Sequence, residues 1–328
     1  MKKRFKINKT LISSLLSLLV LSVFSCDDIV EEDLANDLVV TITPSSGQVI
    51  TSNAVSFQWN NLEGADDYRV QIENNTNVVI LDSVVSTTTL EYPLNPGAFK
   101  WRVRGENFAY HTAYTFPIAF SVEASNDLTN QTVFLNTPTN NYYTNSGNGI
   151  ITTWASINSA DSYTFELEKR LSGNTTTLYQ EAGITATTYT IDGSYLNEDA
   201  AYIWKVKALN TTTMTETIYA SRSILFDSTV PNVPGLLSPA NNATAVVNTN
   251  VVFNWDSGTD PGNINAPLTH LLEIATNTNF SNAEVYSTTT LTQGITFVVT
   301  GDYYWRVKTR DQAGNESAYS GYNKITVN

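Results

Sequence analysis

Phe99-Lys100-Trp101-Arg102-Val103-Arg104, Tyr202-Ile203-Trp204-Lys205-Val206-Lys207 and Tyr303-Tyr304-Trp305-Arg306-Val307-Lys308 are three versions of one hexapeptide. Their tryptophans lie 103 and 101 residues apart. Apart from Ile203 and Tyr304, apolar residues alternate with polar or basic ones along each version. A period of two puts one face of a strand in a core and the other in water, as on an antiparallel sheet. A repeat of roughly 100 residues is domain-sized, and 328 residues accommodate three of them.

Further landmarks keep the same spacing. Ser56-Phe57-Gln58-Trp59, Ile151-Thr152-Thr153-Trp154 and Val252-Phe253-Asn254-Trp255 each end a short β-prone run in tryptophan, so the six tryptophans are used two per repeat. Alternating runs follow at Tyr68 to Ile72, Tyr163 to Leu167 and His270 to Ile274, with His270 standing where the other copies have tyrosine. That position makes His270 a structural ring at a sheet edge rather than a base. Turn residues punctuate the runs: Asn95-Pro96-Gly97, Asn145-Ser146-Gly147, Asp260-Pro261-Gly262 and Ala313-Gly314-Asn315 among them. Short strands parted by such turns, with no sustained 3.6-residue period, predict an all-β chain of sandwiches.

On these residues the units resemble fibronectin type III domains. That family has a core tryptophan on its second strand, an aromatic opening its third, and a leucine, a turn and an aromatic before its sixth. Leu94-Asn95-Pro96-Gly97-Ala98-Phe99 matches the last pattern, and Leu196 through Tyr202 matches it more loosely. The third copy, closing with Asp311-Gln312-Ala313-Gly314-Asn315-Glu316-Ser317, resembles repeats of bacterial surface proteins. The resemblance covers residues 40–328 and implies three tandem immunoglobulin-like (fibronectin type III) β-sandwiches. The expected units are 40–124, 130–228 and 233–328, with linkers at Val122 to Asp127 and at Asp227 to Pro234. The two prolines of the second linker predict an extended, semi-rigid segment.

The N-terminus is of a different kind. Lys2, Lys3, Arg4, Lys6 and Lys9 precede an apolar stretch from Leu11 to Phe24, which ends at Ser25-Cys26. That stretch of 14 residues is shorter than the ~20 needed to span a bilayer as a helix. It resembles a bacterial lipoprotein signal peptide, 1–25, which implies lipid attachment at Cys26, the one cysteine. With that leader removed, the net charge goes from −13 to −18. Asp27-Asp28-Ile29-Val30-Glu31-Glu32-Asp33 then begins an acidic segment, 26–39, expected to stay a solvated tether. The run resembles the export signal of Bacteroidetes-type surface lipoproteins and implies display at the outer-membrane surface. An Asp directly after the cysteine is, in enterobacterial lipoproteins, a signal for inner-membrane retention instead.

Little of this points to catalysis. One cysteine excludes a disulfide framework and any cysteine-based zinc site, and the acidity argues against a nucleic-acid partner. Nucleophile elbows and phosphate loops are missing from the sequence, and the side-chain-filled interior of a small sandwich should offer no deep cleft. A non-enzymatic role without cofactors is expected. Asp256, Asp260 and Asn263 fall in one loop and Asp311 and Asn315 in another, a donor set that suits calcium. Turns use the same residues, so no metal is expected. The most unusual loop is Asn107 to Phe116, in which Phe108, Tyr110 and His111 are the candidate ligand contacts, while alternation buries Tyr114 and Phe116 in the last strand. Tyr142-Tyr143 is a weaker candidate of the same kind. Asp82-Ser83-Val84 and Asp227-Ser228-Thr229 resemble an O-glycosylation motif of exported Bacteroidetes-type proteins. The expected role is a lipid-anchored envelope protein presenting its sandwiches to a glycan or a surface protein. The alternative is a structural spacer with no ligand of its own.

Overall fold

A computed structural model describes residues 31–328. The leader 1–25, Cys26, Asp27 and Asp28 lie outside the described residues. Among the described residues strands make up almost all regular structure, with one 3-10 turn at Gly193–Tyr195. Among the described residues no helix is long and apolar enough to cross a membrane.

The chain folds as tandem β-sandwiches, each built from a three-stranded and a larger sheet. In the first, Thr41–Thr43, Ala54–Trp59 and Thr89–Pro93 face a five-stranded sheet. That sheet runs Val49–Ile50, Ile118–Val122, Gly97–Glu106, Asp67–Asn74, Val79–Val85. The second sandwich pairs Leu135–Thr137, Ile150–Trp154 and Thr188–Ile191 against the sheet of Tyr142–Thr144, Ala220–Phe226, Ala200–Asn210, Ser162–Leu171 and Asn174–Ile184. In the third, Leu236–Ser238, Asn250–Trp255 and Thr292–Thr296 face Ala243–Ala245, Asn323–Val327, Gly301–Asp311, Leu268–Ala275 and Glu284–Thr288. Each sandwich thus has the same strand order, including a short strand parallel to the last.

Alternation sets the cores. Val55, Phe57 and Trp59 point inward from one strand, and Tyr68, Val70 and Ile72 from the strand facing it. Trp101 pairs across the ladder with Ile72, Trp204 with Leu167 and Trp305 with Ile274, so one register recurs three times. Each sandwich has its own cluster of buried apolar side chains. Val55–Val122 belongs to one compact unit and Glu123–Asn328, with the second and third cores, to another.

Three expectations need correction. Residues 31–39 are not wholly a solvated tether: Leu34 and Val39 are buried, and Asn107 Nδ2 donates to the Glu32 carbonyl at 2.8 Å. The acids before them are mostly exposed, but an apolar side chain in their midst still gains by leaving water. Phe116 is not in the core. The last strand begins only at Ile118, because Pro117 has no N–H to donate to a ladder, and Phe116 is left 90% exposed. His270 is not at a sheet edge, since Leu268–Ala275 lies between Gly301–Asp311 and Glu284–Thr288.

Candidate functional site

The loop after Gly97–Glu106 is organised by Asn107. Its Oδ1 accepts from the N–H groups of Ala109 (3.2 Å) and Tyr110 (2.7 Å), and its Nδ2 also donates to the Gly64 carbonyl at 2.9 Å. A short carboxamide closing its own backbone two and three residues on is an Asx turn. Phe108, 94% exposed, and Tyr110, 42% exposed, stand on this turn. His111 is exposed beside them, bridges to Glu106, and has Nδ1 3.2 Å from the Thr112 carbonyl. Tyr114 is turned away, half-buried under the guanidinium groups of Arg102 and Arg104 at 4.7 and 4.8 Å. Burial, opposed by those cations, raises its phenol pKa.

Open grooves run along the sheet edges of two of the sandwiches. In the second sandwich a cleft of about 290 Å³ opens where Asn174–Ile184 and Thr188–Ile191 part without pairing. Phe165, Tyr179, Tyr189, Asp192, Ser194 and Tyr195 line it. Tyr189 stacks on Phe165 with centroids 4.3 Å apart, and Tyr179 lies 6.0 Å from Tyr189 and 5.7 Å from Tyr195. Glu181 ties two of the phenols together, 2.5 Å from Tyr179 Oη and 3.1 Å from Tyr189 Oη. Burial first, then these hydrogen bonds, raises the Tyr189 pKa. The third sandwich repeats the arrangement with a cleft of about 260 Å³ that includes Tyr286, Glu284, Phe297 and Tyr303. There Tyr286 donates to Glu284 at 2.6 Å, and this bond more than burial pushes its phenol up to about 12. In the first sandwich Tyr92 Oη donates to the Ile80 carbonyl at 3.3 Å and bridges the equivalent strands. Tyr142, 42% exposed, stands apart from the cleft on the short strand beside Ala220–Phe226.

The third feature is a cluster of carboxylates. Asp227 follows Ala220–Phe226, Asp260 lies in the loop before Leu268–Ala275, and Asp311 ends Gly301–Asp311. One carboxylate oxygen from each falls within 4.8 Å of the others. Asp227 is 0% exposed, Asp311 3%, and Asp260 is half-buried. Asp311 Oδ1 accepts from the N–H groups of Gly314 (2.7 Å) and Asn315 (2.8 Å); Asp260 accepts from Gly262 (3.3 Å) and Ala266 (3.2 Å). Asp227 Oδ1 accepts from the Thr229 N–H at 3.0 Å, but Oδ2, fully buried, has no hydrogen-bond partner. Burial first, then the negative charge of Asp260, Asp311 and Asp199, pushes the Asp227 carboxyl up to about 6 against the pull of that N–H. Among the described residues, no ion pair involves Asp227, Asp260 or Asp311.

Asn315 frames the cluster. Its Nδ2 donates to Asp311 Oδ2 (2.8 Å) and the Asp227 carbonyl (2.9 Å), while its Oδ1 accepts from Asn145 Nδ2 (3.1 Å). Gly262 lets the Asp260 loop approach, since a Cβ there would lie 2.8 Å from Asp199 Oδ2 and 3.0 Å from Thr229 Cβ. Of the oxygen donors noted in the sequence, Asp260, Asp311 and Asn315 converge. Asp256 instead holds the Gly235 N–H, and Asn263 is exposed. The sequence alone does not single out Asp227, which falls in the expected linker and glycosylation motif. In the fold the hydroxyls of Ser228 and Thr229 donate to the Asp199 carboxylate. Nor does the sequence single out Tyr179, Tyr189 or Tyr195: the first two sit on Thr-rich strands and the third in the 3-10 turn.

No protein-family model matches the chain, and no curated protein matches it. Among solved structures, the FN1–FN3 domains of chicken CNTN1 align with a TM-score of 0.46 at 12% identity, over 88% of this chain and 97% of that one. The fibronectin(III)-like modules of Clostridium thermocellum CbhA align with a TM-score of 0.23 at 12% identity, over 58% of this chain and 94% of theirs.

Proposed function

We propose that this chain is a lipid-anchored, non-enzymatic binding protein of the cell envelope, displayed at the outer-membrane surface, that holds a carbohydrate chain in the tyrosine-lined cleft of its second sandwich. The single observation that carries the reading is the cleft formed by Tyr179, Tyr189 and Tyr195 with Asp192 and Ser194 at its rim. Phenol rings give a sugar flat apolar surface, and carboxylate and hydroxyl groups beside them accept and donate to its hydroxyls. Phe108 and Tyr110 add an exposed aromatic contact on the first sandwich, held ready by Asn107. Lipidation at Cys26 and surface display rest on the leader and the acidic run that follows it.

Glycan-array binding followed by titration tests the ligand. Tyr179→Ala and Tyr195→Ala should each weaken binding by about tenfold or more, as central aromatic contacts do. Phe108→Ala should have a smaller effect. Binding that survives both cleft substitutions rejects the cleft as the site, and no binding to any glycan rejects the carbohydrate reading and leaves a structural spacer. Protease treatment of intact cells tests the location: an untouched protein contradicts surface display.

A further inference from the structure

We propose that Asp227, Asp260 and Asp311 form a calcium site that joins the second and third sandwiches. The three carboxylates arrive from three separate stretches of chain, one just after the second sandwich's last strand and two from the third sandwich. The hydrogen bonds inside each turn account for Asp260, Asp311 and one oxygen of Asp227 without any ligand. They do not account for Asp227 Oδ2, which is buried among like charges with no donor of its own. A buried carboxylate oxygen is ordinarily paired or bound to a metal, and no Lys or Arg side chain forms an ion pair with it among the described residues.

The donor set selects the ion. All three ligands are hard oxygens, with no nitrogen or sulfur, which suits calcium or magnesium over zinc. Oxygens up to 4.8 Å apart fit a calcium shell, whose opposite ligands lie about 4.6–5.2 Å from each other. The near-complete burial of Asp227 and Asp311 favours calcium again, because magnesium gives up its waters reluctantly. A bound cation would neutralise the repulsion within the cluster and tie Asp227 to both loops of the third sandwich. The bonds of Asn315 to Asp227 and to Asn145 already cross that same junction.

Calorimetric titration of the full chain, stripped with chelator, provides the test. One calcium should bind with a dissociation constant on the order of 0.1–1 mM or tighter, and magnesium at least about tenfold more weakly. Asp227→Asn and Asp260→Asn should each weaken calcium binding by about tenfold or more, while Asp66→Asn, on the first sandwich, leaves it unchanged. Because Asp260 is half-buried in a loop, its substitution tests the site even where Asp227→Asn fails to fold. Titrations flat to about 10 mM calcium, equal affinity for magnesium, or full affinity in Asp260→Asn would each overturn the assignment.

Discussion

His270 packs its ring 5.9 Å from Trp255, where Tyr68 and Tyr163 each sit 5.5 Å from the tryptophan of their own sandwich. The tyrosines reach further. Tyr68 Oη accepts from the Leu62 N–H at 2.8 Å and Tyr163 Oη from the Ile157 N–H at 2.9 Å, whereas His270 Nδ1 meets Thr309 Oγ1 at 3.1 Å. Burial holds the imidazole pKa below 6.5, so the native state resists a proton that the unfolded chain accepts. The contribution is complete above about pH 6.5 and is lost as pH falls through the lowered native value, by at most about 1.4 kcal/mol per pH unit. His270→Tyr should therefore flatten the fall in urea-unfolding stability between about pH 7 and pH 5.5; an unchanged slope would show that other groups set it. The tryptophans differ in a similar way. Trp101 Nε1 donates to the Pro44 carbonyl at 2.9 Å, while the indole N–H groups of Trp204 and Trp305 have no partner. Arg222 takes the Pro138 carbonyl in the second sandwich, and Asn323 the Pro239 carbonyl in the third. Trp101→Phe strands a buried acceptor and should cost about 1–3 kcal/mol more than Trp204→Phe or Trp305→Phe in the same unfolding assay.

At the level of elements, Gly97–Glu106, Ala200–Asn210 and Gly301–Asp311 each have a backbone N–H near their end held by a hydroxyl group of the segment that follows. Thr112 Oγ1 accepts from the Gly105 N–H at 3.2 Å, Thr217 Oγ1 from Ala208 at 3.0 Å, and Ser317 Oγ from Thr309 at 2.9 Å. Thr115 and Ser320 repeat the device three residues on, accepting from Val103 at 3.1 Å and Val307 at 3.0 Å. All three hydroxyl residues of the first set are buried, so removing one leaves an N–H with neither water nor partner. Thr217→Val should destabilise by about 1–3 kcal/mol in denaturant unfolding, and Thr217→Ser by much less; equal losses would mean that the methyl rather than the hydroxyl matters. This device explains why the strands were legible in the sequence and the following segments were not. Trp101, Trp204 and Trp305 announce their strands because alternation leaves a period-two trace. A threonine bonding to a backbone N–H leaves no such trace, and Phe116 reads as a core residue until Pro117 is seen to delay the ladder. The tyrosine cleft was hidden for a related reason: Tyr189 alternates with threonines like a core residue, and only the gap between its strand and that of Tyr179 makes the two rings into a wall.

Across the whole molecule, one core recipe is used three times while the sites differ from copy to copy. Repetition of the tryptophans makes the cores readable, since each is a local pattern within about 50 residues. The carboxylate cluster lies at the other extreme. Asp227, Asp260 and Asp311 belong to no repeated pattern: they lie 33 and 51 residues apart on two different sandwiches, and each separately looks like an ordinary turn residue. A cation there acts on Glu123–Asn328 and has no ligand in Val55–Val122. Binding to the native state alone stabilises by about 1.4 kcal/mol at a tenfold excess over the dissociation constant, which slows exchange of amides that open with the site about tenfold. Hydrogen exchange read by mass spectrometry should thus show slower exchange in calcium than in chelator around Asp227, Asp260 to Ala266 and Asp311 to Asn315. Peptides from Asp67–Asn74 and Gly97–Glu106 should exchange at the same rate in both. Slowing spread evenly over the chain would mean that calcium acts through general ionic effects, because only a localised site can protect one unit and spare the other.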